Sequence, residues 1–243
     1  MKKRLLILGM ILTMAMATGC GSTTEVTDNS KQQTANADDE TNSSVEDKTS
    51  DEKDTDTNYK SADEITMDDL MSHDETPAED FEYKDIPDYD GIIIKDYIGD
   101  DPIVVIPNEI NGKKVTRFDK TFMNNKNVVA VRIGDNVTEV STDAFVNCEN
   151  LKYVVFGKSV QSLGGGNFVN TNIEEVVLNE GLLTIGTSEY DYVTGWNDVT
   201  ISIPESVTEM HISGCNIIVK AGSYAEQYAE ESEDSTLLYT VEE

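Results

Sequence analysis

Apolar and polar positions divide this chain into three stretches. Residues 5–17 form an apolar run, LLILGMILTMAMA, preceded by Lys2, Lys3 and Arg4. From Gly21 to about Asp80 apolar side chains are few and scattered among Ser, Thr, Asn, Gln, Asp and Glu. Beyond residue 83 short apolar clusters return in AVRI, YVVF, EVVL and TISI, spaced so that apolar side chains recur at alternate positions. Alternation at period two predicts short strands with one buried face. The pattern therefore predicts a leader, a polar segment and a β-rich domain over residues 83–243.

The clusters repeat. Aligning residues 104–110, 128–137, 151–160, 173–182 and 199–207 places Ile106, Ile133, Phe156, Leu178 and Ile203 in equivalent positions, 27, 23, 22 and 25 residues apart. Four residues later each unit has another apolar side chain, at Ile110, Val137, Val160, Leu182 and Val207. Three further on come Val140, Leu163, Ile185 and Met210, and in the first unit the inserted NGKK shifts the corresponding pair to Val115 and Phe118. Phe122, Phe145 and Phe168 each close a unit. A unit of this size has too little apolar surface to stand alone. Stacking of units with parallel strands, and a core made of these recurring positions, is the expected solution.

At this point a resemblance becomes specific. Units such as VRIGDNVTEVSTDAFVNCENLKYVVF resemble the leucine-rich repeat subclass of bacterial cell-surface proteins, through Gly134, Val137, Val140, Ala144, Phe145, Cys148 and Leu151. Pro107, Val115, Phe118 and Phe122 match in the preceding unit, and Pro204, Val207, Met210 and Cys215 in the last. Residues 90–115 resemble the N-terminal cap of such domains, and VKAGSYAEQYAEE (219–231) their closing turn and helix. The resemblance implies a capped solenoid of five to six repeats, with short parallel strands on one face and turns or irregular segments opposite. It also implies surface display and, in some members, adhesion to host or matrix proteins. The sequence departs from the pattern at Gly164, Gly165 and Gly166, and at residues 188–198, which stand where the fourth unit's Phe and Cys belong.

The thirteen-residue apolar run is short for a permanent span of a hydrocarbon core about 30 Å thick, and with its basic start it reads as an export signal. Ala17, Thr18 and Gly19 before Cys20 resemble the lipobox of bacterial lipoproteins, with Ala17 where Leu is more usual. That resemblance implies a signal peptide over residues 1–19 and acylation of Cys20. The membrane partner is then a lipid anchor, since each buried methylene contributes about 0.8 kcal/mol and two or three chains hold permanently. Residues 20–82 are expected to be a disordered acidic tether, because almost nothing in them offsets an ordering cost of about 1–2 kcal/mol per residue. Within it, residues 62–72 with Ile65, Met67, Leu70 and Met71 are expected to give no more than a transient helical turn.

Charge and composition exclude whole function classes. The chain has 47 acidic and 18 basic side chains, and residues 81–243 hold 28 of the acids and 11 of the bases. This argues against nucleic-acid binding and against adhesion of the protein surface to an anionic membrane. Two histidines, His73 and His211, and three cysteines leave few soft ligands, so no metal and no cofactor is expected. Cys148 and Cys215 are read as small buried hydrophobes, about three repeats apart and too distant for a disulfide. No Gly-x-Ser-x-Gly elbow is present, and Glu174, Glu175 and Glu180 are read as a solvated face, so the chain is not expected to be an enzyme. A carboxylate-based, glycan-acting enzyme is the distant alternative, and a passive envelope role a nearer one.

The candidate ligand contacts are Glu189, Tyr190, Asp191, Tyr192, Trp196 and Asp198, where aromatic and acidic side chains interleave on an irregular segment. Exposed, Tyr190, Tyr192 and Trp196 would serve as binding anchors. Folded back, they would fill the gap left by the missing Phe. The overall expectation is a monomeric, lipid-anchored protein on the extracellular side of a cell membrane, binding an extracellular protein or glycan.

Overall fold

The computed structural model describes residues 59–86, 91–186, 193–196 and 199–242. The signal peptide, Cys20 and most of the expected tether lie outside them. Helix α1 (Met67–Ser72) precedes strands β1 (Phe81–Asp85), β2 (Gly91–Tyr97), β3 (Ile103–Val105), β4 (Glu109–Ile110) and β5 (Lys113–Phe118). The repeats follow as β6 (Ala130–Arg132), β7 (Glu139–Val140), β8 (Tyr153–Val155), β9 (Ser162–Leu163), β10 (Glu175–Val177), β11 (Thr184–Ile185), β12 (Thr200–Ser202) and β13 (Glu209–Met210). Strand β14 (Asn216–Lys220), helix α2 (Tyr224–Glu231) and β15 (Leu238–Glu242) close the chain.

The fold is a solenoid of mostly parallel strands with a short C-terminal helix. Its front sheet runs β3-β6-β8-β10, and a three-stranded continuation runs β12-β14-β15. Where turns were expected opposite these strands, there is a second, rear ladder: β1-β2-β5-β7-β9-β11-β13, with β4 on β5. The reason lies in the third apolar position of each unit. Phe118, Val140, Leu163, Ile185 and Met210 stand in register on adjacent rear strands, each fully buried. The front sheet supplies the facing column, Val104, Val131, Val154 and Val176. Each unit thus closes the core between two ladders.

Aromatic rings fill the remaining space in one continuous spine. Tyr97, Phe122, Phe145, Phe168 and Trp196 follow one another at centroid separations of 5.9, 5.5, 5.8 and 4.7 Å. The two central pairs are nearly parallel, at 13° and 8°. Two residues beyond each Phe, Asn124, Asn147 and Asn170 take positive φ, a conformation Asn tolerates. Their amides bond along the stack, Asn147 Nδ2 to Asn124 Oδ1 at 2.8 Å and Asn170 Nδ2 to Asn147 Oδ1 at 2.7 Å. Close stacking also explains Gly157, where a Cβ would sit 2.3 Å from the Gly134 carbonyl oxygen. In the glycine-rich segment buried Asn167 replaces the usual packing, accepting from Ala144 N and donating to the Ser141 and Gly164 carbonyls.

Of the predicted core positions, Ile106, Ile133, Phe156, Ile203, Val137, Val140, Phe145, Val160, Leu163 and Phe168 are all buried. Leu178 is only partly buried against the core. It follows the last paired front strand, beside the irregular segment, and β12 lies next to β10 without strand pairing to it.

Regular structure is also present upstream of residue 83. Structure begins by residue 59, and α1 carries a complete N-terminal signature that the acidic background concealed. Thr66 caps the helix, its hydroxyl accepting from Asp69 N while Asp69 Oδ2 accepts from Thr66 N at 2.9 Å. Ile65 and Leu70, flanking this capping box, form a hydrophobic staple and are 2% and 0% exposed. They pack on Ile103, Val105, Val129 and Ala130. Burying each side chain contributes about 1.5–3 kcal/mol, which is what a six-residue helix needs from its surroundings.

Phe145→Ala should lower unfolding free energy by about 3–5 kcal/mol, since it empties the middle of the spine. Val177→Ala on the exposed surface should change it by less than about 0.5 kcal/mol. Urea denaturation of the two variants measures the contrast, and equal midpoints would mean that the spine is not where stability resides.

Candidate ligand-binding surface

Strand alternation gives the front sheet an outward face as regular as the inward one. One outward column is Ile103, Ala130, Tyr153 and Glu175, continued by Thr200, Asn216 and Leu238 beyond the break. The second is Val105, Arg132, Val155 and Val177, continued by Ser202, Ile218 and Thr240. The first two strands are covered by α1, and Tyr153 and Val155 lie at the margin of that contact. Val177 is 43% exposed and Leu238 61%, while Glu175, Thr200 and Ser202 are exposed polar neighbours. The face therefore changes along the stack, from aliphatic and covered to mixed and open.

Two basic side chains mark the transition. Arg132 Nη2 donates to the His73 carbonyl at 2.8 Å, at the C-terminal end of α1. Lys152 Nζ lies 3.2 Å from Glu174 and 3.4 Å from Asp63, and these carboxylates, Glu174 foremost, hold its pKa above the usual lysine range. Asp69, bonded by Lys60 Nζ at 2.6 Å and by Thr66, has its pKa lowered to about 2. Its capping role is thus intact above the ordinary carboxylate range and is lost only as pH falls toward 2. Asp68 and Asp69 both lie in the first turn of α1, where negative charge complements the helix dipole.

The structure signals this covered surface in the sequence after all. Residues 103–106 and 128–131 are unbroken aliphatic runs, IVVI and VVAV, whereas β10 and β12 place the polar Glu175, Thr200 and Ser202 outward. A strand apolar on both sides is covered on both sides.

The expected binding loop fares differently. Trp196 is 1% exposed, its Nε1 donates to the Val193 carbonyl at 3.1 Å, and its ring packs on Phe168. As a surface ligand contact it is withdrawn: it occupies the place of the fourth unit's missing Phe. Gly195 makes this possible, with φ of 92° and a backbone so close to Phe168 that a Cβ would lie 1.9 Å from its carbonyl oxygen. Glu189, Tyr190, Asp191, Tyr192 and Asp198 lie outside the described residues. Glu174, Glu175 and Glu180 are exposed on the front side, as a solvated face would be. Among the described residues no group of three or more His, Cys, Asp or Glu is arranged to hold a metal ion, and no helix is long and apolar enough to cross a membrane.

Residues 117–218 match the family model described as the BspA type leucine rich repeat region, in six copies. Among solved structures, the leucine rich repeat protein of T. pallidum superposes with a TM-score of 0.55 at 23% identity, over 69% of this chain and 82% of that one. This likeness establishes the leucine-rich repeat fold. A leucine-rich repeat protein from Bacteroides ovatus ATCC 8483 aligns with a TM-score of 0.45 at 19% identity, over 69% of this chain and 55% of that one. A leucine rich cell surface protein from Faecalibacterium prausnitzii A2-165 aligns at 0.36 and 17%, over 70% and 51%. No curated protein matches the chain.

The repeat cysteines are packing elements. Cys148 is fully buried and its Sγ donates to the Phe122 carbonyl at 2.7 Å, which ties one unit to the next. Cys215 is 2% exposed, and both are free thiols. Burial pushes each from an ordinary value of 9.0 up to about 12. Because the raised value belongs to the folded state, the associated stability is complete below about pH 9 and is lost as pH rises toward 12. At pH 8 iodoacetamide should therefore leave Cys148 and Cys215 unmodified in the folded protein and label both in guanidinium chloride. Peptide mapping reads the result, and rapid labelling of either in the folded protein would contradict its buried position.

Proposed function

We propose that the chain is a surface-displayed binding module, anchored by lipid at Cys20, whose solenoid presents the open part of its front face to an extracellular protein or glycan. The supporting observation is the outward column Val155 and Val177, aliphatic side chains partly or largely exposed on paired strands and bordered by Tyr153, Glu175, Thr200 and Ser202. Strands about 4.8 Å apart present such a column as an extended strip, which suits another extended molecule. The charge of the C-terminal half narrows the choice. Residues 159–243 hold 15 acidic side chains and a single basic one, Lys220. A protein presenting basic surface is attracted to that half, and an acidic glycan is repelled. Tyr190 and Tyr192, with Glu189, Asp191 and Asp198, belong to the same reading as a second contact region. A monomer suffices for it.

The anchor and the surface are tested separately. In an exporting bacterial host the chain should fractionate with membranes and Cys20→Ser should appear in the medium. Membrane retention of that variant would remove the lipid anchor from the proposal. Full-length protein should bind at least one of a panel of immobilised matrix proteins, mucin and cell-wall glycans. Val155→Glu with Val177→Glu should weaken that binding by about tenfold or more, the loss expected of a buried contact. Loss only on Tyr190→Ala with Tyr192→Ala would move the site to the loop, and a folded protein that binds nothing would favour a passive envelope role.

A further inference from the structure

Helix α1 sits on the front face as a bound peptide would. Its seat is aliphatic, built from Ile103, Val105, Val129 and Ala130, where the same outward columns later read Glu175, Thr200, Ser202 and Asn216. Basic side chains frame the seat at both ends. Arg132 meets the His73 carbonyl, where a helix carries unpaired acceptors and partial negative charge, and Lys152 reaches Asp63 beyond the other end. The occupant is short: six helical residues, two buried aliphatic side chains with Ala62 and Met67 partly buried beside them, the Arg132 bond and an ion pair in which Asp63 is 96% exposed, while firmer bonds, Glu75 to Asn108 and Thr76 to Val105, come only after the helix. Segments with so few buried contacts open locally without global unfolding.

The fit is also incomplete. A cavity of about 320 Å³ remains beside Met71, lined among others by Glu75, Val105, Arg132, Val155 and Phe156. Within this region Arg132 Nε is buried and has no hydrogen-bond partner among the described residues. Met71, 53% exposed, brings no acceptor to it. A buried donor of this kind gains most from a carboxylate, through a charge-assisted bond.

We propose that the outward face of β3 and β6 is a docking site for a short amphipathic helix of a protein partner, occupied in the resting chain by α1 as an internal stand-in. The fitting partner carries the pattern of residues 65–70, an aliphatic residue, a capping Ser or Thr, two further residues, an acid and a second aliphatic residue. It improves on α1 by placing a carboxylate where α1 has Met71, opposite Arg132. The proposal rests on the reading of the chain as a binding module and adds a separate contact, on the covered part of the front face, to the open strip described above. Since α1 competes for its own seat, the apparent affinity of a partner is reduced by the fraction of molecules in which α1 is closed.

The probe is a fluorescein-labelled peptide of residues 59–76, titrated by anisotropy into the full-length chain. Ile65→Asp with Leu70→Asp frees the seat, and this variant should bind the peptide about tenfold or more tightly than the parent. Thr66→Gly with Asp69→Ala releases α1 by uncapping it and should give the same direction without placing charge in the contact. Protection of Cys148 from iodoacetamide certifies that each variant is folded. A peptide carrying Met71→Glu should bind the released chain more tightly than the parent peptide, and Arg132→Gln in the chain should abolish that gain. Folded, released chains that bind neither peptide overturn the proposal. In that event the matrix screen with the Val155 and Val177 variants still decides the broader binding reading by itself.

Discussion

A turn of 22 to 27 residues has no interior of its own, so each unit of this solenoid is stable only against its neighbours. Register is the consequence. Parallel strands hold equivalent residues side by side at about 4.8 Å, and whatever a unit places at one position must be compatible with the copy above and below. Rings therefore stack on rings from Tyr97 to Trp196, Asn amides bond Asn amides, and Cys148 donates to the carbonyl of the unit before. Gly157 answers the same demand by having no Cβ to meet the Gly134 carbonyl. Ion pairs repeat the step as well, joining Lys95 to Asp119, Lys120 to Asp143, Lys126 to Glu149 and Lys158 to Asp135. Being exposed, they add little each, and they serve mainly to neutralise neighbouring rows.

What register imposes is also what made the fold legible. Positions such as Ile133, Val137, Val140 and Phe145 recur because the stack requires them, and recurrence can be read from a single chain. The rear ladder was less visible because within the repeats its strands β7, β9, β11 and β13 are two residues long, too short for alternation to show. Leu178 has the right spacing and the wrong environment, since burial there depends on a neighbouring strand that does not pair. Trp196 was ambiguous for a physical reason. An aromatic ring in an irregular segment is as suitable for a vacancy in a core as for a ligand, and only the distance to Phe168 separates the two. Helix α1 was hidden by composition, because a capping box and a staple occupy six positions and acidic residues surround them. Its partner surface was nevertheless written into IVVI and VVAV.

The irregular segment shows how far a solenoid tolerates a defect. Gly195 and Trp196 restore the spine, and the rear ladder passes from β9 through β11 to β13 without interruption. The front sheet does not recover, and β12 begins a new one with β14 and β15. The defect also coincides with a change in charge. From Phe81 to Lys158 lysines pair with several acids across rows, whereas from Ser159 onward Lys220 is the only Lys or Arg. The same backbone thus displays two surfaces of different chemistry, mixed in charge before the defect and almost purely acidic after it.

The position of α1 along the chain has a mechanical meaning. Tension applied N-terminal to Tyr59 reaches α1 before any strand, and it peels the helix from its seat one contact at a time. The strands, by contrast, are loaded across many parallel bonds at once. Peeling stops at Thr76, whose N–H bonds the Val105 carbonyl at 2.9 Å and whose hydroxyl accepts from Val105 N at 2.9 Å. The freed residues, 59–75, supply a contour length of about 55 Å. A pull from the N-terminal side therefore lengthens the protein and bares the aliphatic seat in the same event, leaving the solenoid whole.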